Sequence, residues 1–317
     1  MPPLDLWKQA ARQSDHTVML PGKVPMFFRR IPLIGDSPGS FLMGSRGKRA
    51  DEEPRHRVII AREFFLGTFV VTQEQWRGGA RKCAALKERA EPSDESQKGT
   101  RRPVDSVDWH EAMTFCEWLT QSGLLPAGFT ACLPSEAQWE YACRAGSETE
   151  YYNGDGEAAL AEVAWYAENS GSQTHPVDEK AEAHPFGVFG MHGNVWEWCR
   201  DAWDKDAYKK RADGAAEPLT SPEAENPPRV LRGGSWIFAA RFCRSAVRLR
   251  YVPVDRFGYV GFRVCLVPGP PDQPERGAPQ TEPAQPASGA GGRGTSPQAK
   301  RAGGADVDLA REKMPPA

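Results

Sequence analysis

Few residues of this chain could do chemistry, and their spacing narrows them further. The seven cysteines are Cys83, Cys116, Cys132, Cys143, Cys199, Cys243 and Cys265. The number is odd and no CxxC pair exists, which argues against a structural zinc site. Cys116, Cys143 and Cys265 sit in apolar patterns and read as core packing. Cys243 lies between Arg241 and Arg244. A thiol beside guanidinium groups ionises more readily, whereas a buried one is inert, and both readings stay open. The six histidines show neither HxH nor HExxH spacing. His175 and His184 stand in loops, where bracing is the ordinary role. Ser235 has no base in its neighbourhood that would make it a nucleophile.

A different kind of chemistry is written into residues 237–260. Phe238, Phe242, Tyr251, Phe257 and Tyr259 are interleaved there with Arg241 and Arg250. Aromatic and arginine side chains dominate binding hot spots, because each gives a large or multidentate contact at modest entropy cost. The competing reading is that alternate members face the core of short strands, which would bury about half of them.

Three helices must carry the framework. Thr72 followed by Gln75 fits a capping box. A second helix starts near Asp108, where Ala112, Phe115, Cys116 and Leu119 form one apolar stripe. Ser135 followed by Gln138 opens a third, with Trp139, Ala142 and Cys143 inward and Gly146 at its close. Phe41–Gly44 and Arg57–Phe69 read as strands, and residues 187–266 as short strands broken by Gly, Asn, Asp and Pro. Residues 91–102 are polar and read as a flexible insertion.

Seven phrases recur in a recognisable order. They are Phe41-Leu42-Met43-Gly44-Ser45; Phe65-Leu66-Gly67 with Val71-Thr72-Gln73; Arg102-Pro103-Val104-Asp105 with Trp109; Leu133 through Glu140; His192 through Trp198; Arg232-Gly233-Gly234-Ser235-Trp236; and Gly261-Phe262-Arg263. Together they resemble the formylglycine-generating enzyme family, also called the sulfatase-modifying factor family, over about residues 24–267. The resemblance implies an α+β fold, an extended C-type-lectin-like domain with two or three helices, small antiparallel sheets and long ordered loops. The ten tryptophans suit such a core, because large rigid rings pin irregular backbone.

The resemblance also carries tests of chemistry. The family's oxidases hold copper with two cysteines spaced C-x4-C after the GGS phrase, as a soft Cu(I) ion prefers. Counting forward from that phrase, Phe238 stands at the first position and Cys243 at the second. Counting back from Arg244-Ser245-Ala246, neither position is a cysteine. Only one thiolate is present either way, so copper oxidase activity is not expected. Family members also hold calcium around the NVWEW phrase; here Gly193 and Val195 would offer carbonyls and Glu197 a carboxylate, although Gly190 stands where a side-chain ligand is expected.

The segment after Trp236 resembles the ligand-binding region of non-catalytic members, including variable proteins diversified by retroelements. Arg244-Ser245-Ala246, Arg248, Pro253, Arg256 and Gly261-Phe262-Arg263 would be scaffold. The ligand-binding set between them would be Ile237, Phe238, Arg241, Phe242, Val247, Leu249, Arg250, Tyr251, Val252, Val254, Asp255, Phe257 and Tyr259. With Gly258 and Val260, this set lacks Lys, Glu, Gln, Met and Trp, as substitution at asparagine-type codons would produce.

The 317 residues carry 40 Lys plus Arg against 42 Asp plus Glu, for a net charge of −2. No bulk attraction to nucleic acid or an anionic membrane follows. No apolar run is long enough to span a bilayer, and Asp5, Lys8, Arg12 and Asp15 interrupt any signal-peptide pattern, so a cytoplasmic protein is expected. Residues 268–317 hold 10 Pro and 8 Gly and read as a disordered tail, with 1–23 as an N-terminal arm and 24–267 as the folded domain. The expectation is a non-catalytic module that binds a protein or small-molecule ligand at 237–260. The alternatives are an atypical family enzyme using Cys243 or an unrecognised metal, and an accessory subunit tethered by its tail.

Overall fold

The computed structural model describes residues 6–269 apart from 36–38, 94–96, 181–183, 212, 217–218 and 221–225. Helix α1 (Leu6–Gln13) buries Leu6 and Ala10, and β1 (His16–Leu20) pairs antiparallel with β2 (Val24–Ile31). The boundary expected after residue 23 falls in the turn of this hairpin. Strands β3 (Ser40–Met43), β4 (His56–Ile59) and β5 (Phe64–Gly67) follow. The single strand expected over 57–69 is thus two. Its halves join different sheets, since β4 pairs with β3 and β5 pairs with β2.

The three capped helices form where the sequence places their starts. They are α2 (Gln73–Ala80), α3 (Trp109–Gln121) and α4 (Glu136–Arg144). Thr72, Asp108 and Ser135 each accept the backbone N–H of the residue three ahead, and that residue's side chain returns a bond. Each box satisfies two N–H groups that a helix start otherwise leaves open. Between α3 and α4 lies β6 (Phe129–Cys132). The remaining elements are α5 (Gly156–Val163), β7 (Trp196–Ala202), α6 (Ala207–Lys210), β8 (Ala215–Ala216), β9 (Arg229–Arg232), β10 (Leu249–Tyr251), β11 (Val260–Phe262) and β12 (Cys265–Pro268). The helices beyond the expected two or three are the short α1, α5 and α6.

Among the described residues three small sheets result, in the orders β1-β2-β5-β12-β6, β10-β9-β7-β11 and β3-β4-β8. The first is antiparallel throughout. In the second, β9 joins β7 and β10 antiparallel, while β11 runs parallel to β7. One apolar cluster lies between this four-stranded sheet and α2 and α3, and contains Trp76, Phe115, Trp196, Trp198 and Phe262. A second surrounds α4 and contains Trp139, Tyr141, Val188, Met191 and Tyr208.

The polar run 91–102 is a correction to the sequence reading. Gln97 is buried, its Oε1 accepts the Thr174 N–H at 2.8 Å, and its carbonyl accepts from Gln73 Nε2 at 2.8 Å. Arg102 donates to the Thr174 carbonyl and, at 3.0 Å, to Gln173. The described part of this run is bonded to the domain through its side chains. At the other end, the Gly269 N–H donates to the Gly128 carbonyl at 2.8 Å. The rest of the expected tail lies outside the described residues. No helix among the described residues is long and apolar enough to cross a membrane.

Candidate binding surface

Residues 237–260 occupy both edges of the four-stranded sheet and the loops between them. Strand β10 is one edge, β11 begins the other, and residues 233–248 and 252–259 connect β9 to β10 and β10 to β11. Long loops are stable only when their backbone groups find partners. Here most of those partners are other parts of the chain. The Trp236 N–H donates to Asn194 O at 2.9 Å, Ala167 N–H to Phe238 O at 3.1 Å, and Tyr151 Oη to Ala240 O at 2.8 Å. His192 Nε2 accepts the Tyr152 N–H, so its Nδ1–H donates to Cys243 O at 2.8 Å. The second loop is held by α3, since Ser106 N–H donates to Phe257 O and Trp109 N–H to Pro253 O, both at 3.0 Å.

The Gly233-Gly234 turn starts the platform. Both residues have positive φ, +103° and +78°. A Cβ on Gly234 would also collide with the Cys243 sulfur, so glycine is required there twice over.

Below the platform the arginines expected to be scaffold are locked by carboxylates. Arg244 reaches both oxygens of Glu52 at 3.0 and 2.8 Å, and Arg248 does the same to Glu136. Arg256 bonds Glu111 at 3.1 and 3.2 Å and Asp108 as well, which ties the second loop to the start of α3. Arg232 joins Glu140 while donating to the Ser245 and Val247 carbonyls. Every residue of α4 is buried, including Glu136, Glu140 and Arg144. The sequence reading had only one face of that helix inward. Burial pushes the Glu136 and Glu140 carboxyls up, but Arg248 and Arg232 beside the first, and Arg232 and Arg144 beside the second, outweigh it and hold both below their usual value. These glutamates escaped the sequence reading; the signal was two acids four residues apart in a helix otherwise made of core residues.

Above the platform most of the interposed side chains are partly open to solvent. Phe238 and Val247 are buried; Arg241, Val252 and Val254 are exposed; Ile237, Phe242, Leu249, Arg250, Tyr251, Asp255, Phe257 and Tyr259 are half-buried. Phe238 and Val247 lie in the main apolar core, and Ile237, Phe242, Leu249, Tyr251, Phe257 and Tyr259 pack their inner sides against it. The aromatic members touch one another. Tyr251 and Phe257 have ring centroids 4.6 Å apart, Phe257 stacks on Tyr259 at 5.1 Å, and Phe238 meets Phe242 and Tyr259 edge-on. The Tyr251 and Tyr259 hydroxyls are 3.2 Å apart, and burial raises both phenol pKa values above the ordinary range. Arg241 lies over Phe242 at 4.7 Å. The result is a continuous aromatic face with a cation at its rim.

The candidate chemical groups lie beneath this face. Cys243 is fully buried, and burial pushes its thiol up to about 12. It is a neutral thiol at physiological pH. With Phe238 at the other position, the residues present do not fit a two-thiolate copper site. Ser235 Oγ is buried with no hydrogen-bond partner among the described residues, so no base is bonded to it there. His184 is buried and bonds Cys143 O, while His175 stacks on Trp165 at 3.8 Å and bonds Ser170 O. All seven cysteines are buried.

The calcium expectation meets an arginine. Glu197 accepts Arg263 Nη2 at 2.8 Å and Nε at 3.0 Å, and Trp139 Nε1 at 2.9 Å. The same guanidinium donates to the carbonyls of Gly67, Thr68, Phe189 and Gly190. Arg263 thus supplies the positive charge at the centre of an oxygen cage, and Glu197 does not fit a calcium ligand alongside the Gly193 and Val195 carbonyls. Among the described residues no group of three or more His, Cys, Asp or Glu side chains could hold a metal ion.

Residues 34–267 match the sulfatase-modifying factor enzyme 1-like domain. The chain is 30% identical over 256 residues to serine/threonine-protein kinase pkn1 of Chlamydia caviae, covering 75% of this chain and 38% of that protein. It is 28% identical over 182 residues to the formylglycine-generating enzyme of Thermomonospora curvata, covering 52% of this chain and 56% of that one. It therefore spans less than two thirds of either relative. Among solved structures, Treponema denticola variable protein 1 superposes with a TM-score of 0.64 at 26% identity, over 79% of this chain and 98% of that one. PvdO from Pseudomonas aeruginosa gives 0.60 at 27% identity, over 76% and 94%.

Proposed function

The chain belongs to the sulfatase-modifying factor family, and from that premise we propose that it is a non-catalytic member that binds a protein or small-molecule ligand at residues 237–260. One observation carries the reading. Within a single segment, the arginines at scaffold positions are bonded to carboxylates, while the aromatics between them lie side by side at the surface. Such an arrangement fixes the backbone and holds the rings against the core and one another, so binding pays little ordering entropy. The likeness to a protein named as a variable protein supports the same reading. The segment is also suited to diversification, and a reverse-transcriptase gene with a near-copy of its coding sequence nearby would extend the proposal that far.

The experiment compares the wild type with a variant carrying Phe242, Tyr251, Phe257 and Tyr259 all as Ser. Crosslinking to native extract and mass spectrometry should recover a partner that the folded variant loses. The enzyme alternative is tested by loading with Cu(I) and following oxygen uptake with a cysteine-containing sulfatase peptide. Stoichiometric copper and turnover abolished by Cys243→Ala would overturn the binding reading.

A further inference from the structure

A second site lies away from the aromatic face. A cavity of about 520 Å³ opens between β3, the start of β4 and the C-terminal end of α4, and none of its lining residues belongs to 237–260. Its volume falls within the range of roughly 300–1,000 Å³ typical of small-molecule sites. Ile34, Phe41 and Leu42 make an apolar wall, with the Tyr141 ring edge-on to Phe41 at 5.3 Å. Tyr141 has no hydroxyl capacity to spare, since it accepts the Ile34 N–H and donates to Pro32 O, both at 2.8 Å.

Cations line the opposite side. Arg144 is spoken for, with bonds to Glu140, Thr149 O and Gly44 O. Arg55 and Arg57 are less fully bonded. Arg55 Nη2 lies 3.0 Å from Glu148 Oε2, but neither it nor the buried Nε makes an aligned hydrogen bond among the described residues. Buried guanidinium N–H groups without acceptors are rare and call for a partner. Arg57 is exposed and has no ion pair among the described residues. Glu148, the lone acid of the lining, faces Arg55, which leaves the two arginines one positive charge in excess. That balance suits a ligand with one negative charge better than one with two. A planar carboxylate also matches the guanidinium fork.

The geometry points to a binding site for a small monocarboxylic acid with an apolar body, its carboxylate on Arg55 and Arg57 and its hydrocarbon against Phe41, Leu42 and Ile34. The site is independent of the reading of 237–260, and either can fail without the other.

The test uses the full chain and two probes of nearly the same shape, 3-phenylpropionate and the uncharged 3-phenylpropanamide. Titration followed by amide NMR should give saturable shifts at residues 40–42, 55–57 and 144–148 with the acid. The amide should bind at least tenfold more weakly. Arg55→Gln should weaken the acid about tenfold. If that variant does not fold, Arg57→Gln at an exposed position should still weaken it severalfold. Shifts that do not saturate, equal binding of acid and amide, or unchanged affinity in the folded variants would each overturn the assignment.

Discussion

Arg248 and Arg241 stand seven residues apart in one segment, yet they live in different physical worlds. Arg248 is buried against Glu136, with its guanidinium also on the Asp51 and Asp204 carbonyls. Arg241 is exposed and rests on the Phe242 ring. The first kind of site is a lattice of buried charges in which each member fixes the shape of the others. The second is a face whose rings rest on the core and on one another, with their outer sides open to solvent. The difference teaches how one stretch of chain can be rigid and yet present a contact surface: charge satisfaction is handled below, and the outer sides of the stacked rings are left open above.

The largest expected effect is in the lattice. Removing one partner of a buried ion pair leaves an uncompensated charge, a loss of about 3–5 kcal/mol. Glu140→Ala leaves Arg232 only Glu136, at 3.5 Å, and takes the carboxylate from Arg144. We expect a loss of that size in urea-unfolding free energy, whereas Phe257→Ser, half-exposed on the face, should lose less than about half as much. Equal losses would erase the distinction between lattice and face.

Acid should separate the two regions next. His192 and His184 are buried, and burial lowers them to about 3 and about 4. The unfolded chain binds protons on both below about pH 6.5 while the folded protein does not, so stability falls as the pH drops through that range. From pH 7 to 5 the two together remove about 4 kcal/mol by linkage. Asp201 works in the opposite sense. Burial, and Glu136 beside it, raise it to about 6, so the folded state takes up a proton first and regains about 1 kcal/mol. A net fall of about 2–3 kcal/mol should appear in unfolding midpoints across this window. The paired glutamates, held below their usual value, add a further loss only as the pH passes below about 4. The Tyr251 and Tyr259 phenols stay neutral throughout. A midpoint that stays flat from pH 7 to 5 would contradict the buried histidine pair.

Much of this contrast was open to a reader of the sequence, and the rest was not, for physical reasons. The capping boxes at Thr72, Asp108 and Ser135 are local, so three residues suffice to see them. The division of 237–260 into scaffold and interposed positions followed from a familiar order of phrases. The lattice could not be read in the same way. Glu140 and Arg232 are 92 residues apart, and Glu197 and Arg263 are 66 apart. Nothing in either neighbourhood names the partner. Glu197 reads equally as a partner for calcium or for arginine, because carboxylate chemistry is the same for both until the fold brings Arg263 beside it. The carboxylate cavity was equally hidden, since Phe41, Arg55 and Arg144 meet only once β3, β4 and α4 are packed.

A smaller effect tests how the face is held. The hydroxyl contact of Tyr251 with Tyr259 spans the two edges of the sheet, β10 and the residue before β11. Tyr251→Phe and Tyr259→Phe should each lower stability by about 1 kcal/mol or less, and the double variant should lose no more than either alone. Additive losses would mean that the two hydroxyls work separately and that each ring is fixed by its own backbone.

The smallest effect on folding should come from Arg241, and this makes it the most informative about function. It is exposed, and its contact with Phe242 at 4.7 Å is a surface cation–π pair, a stabilisation of about 0.5–1 kcal/mol at most. Arg241→Ala should therefore shift the unfolding free energy by no more than about 1 kcal/mol. Arg248→Ala, in the lattice, should shift it by several. If the face binds a partner, the order reverses in the binding assay. The Arg241 variant should release the partner faster, because a rim arginine with little structural duty contributes its contact only in the complex. A variant that melts like the wild type and releases its partner at the wild-type rate would remove Arg241 from the surface and confine it to the four aromatic rings.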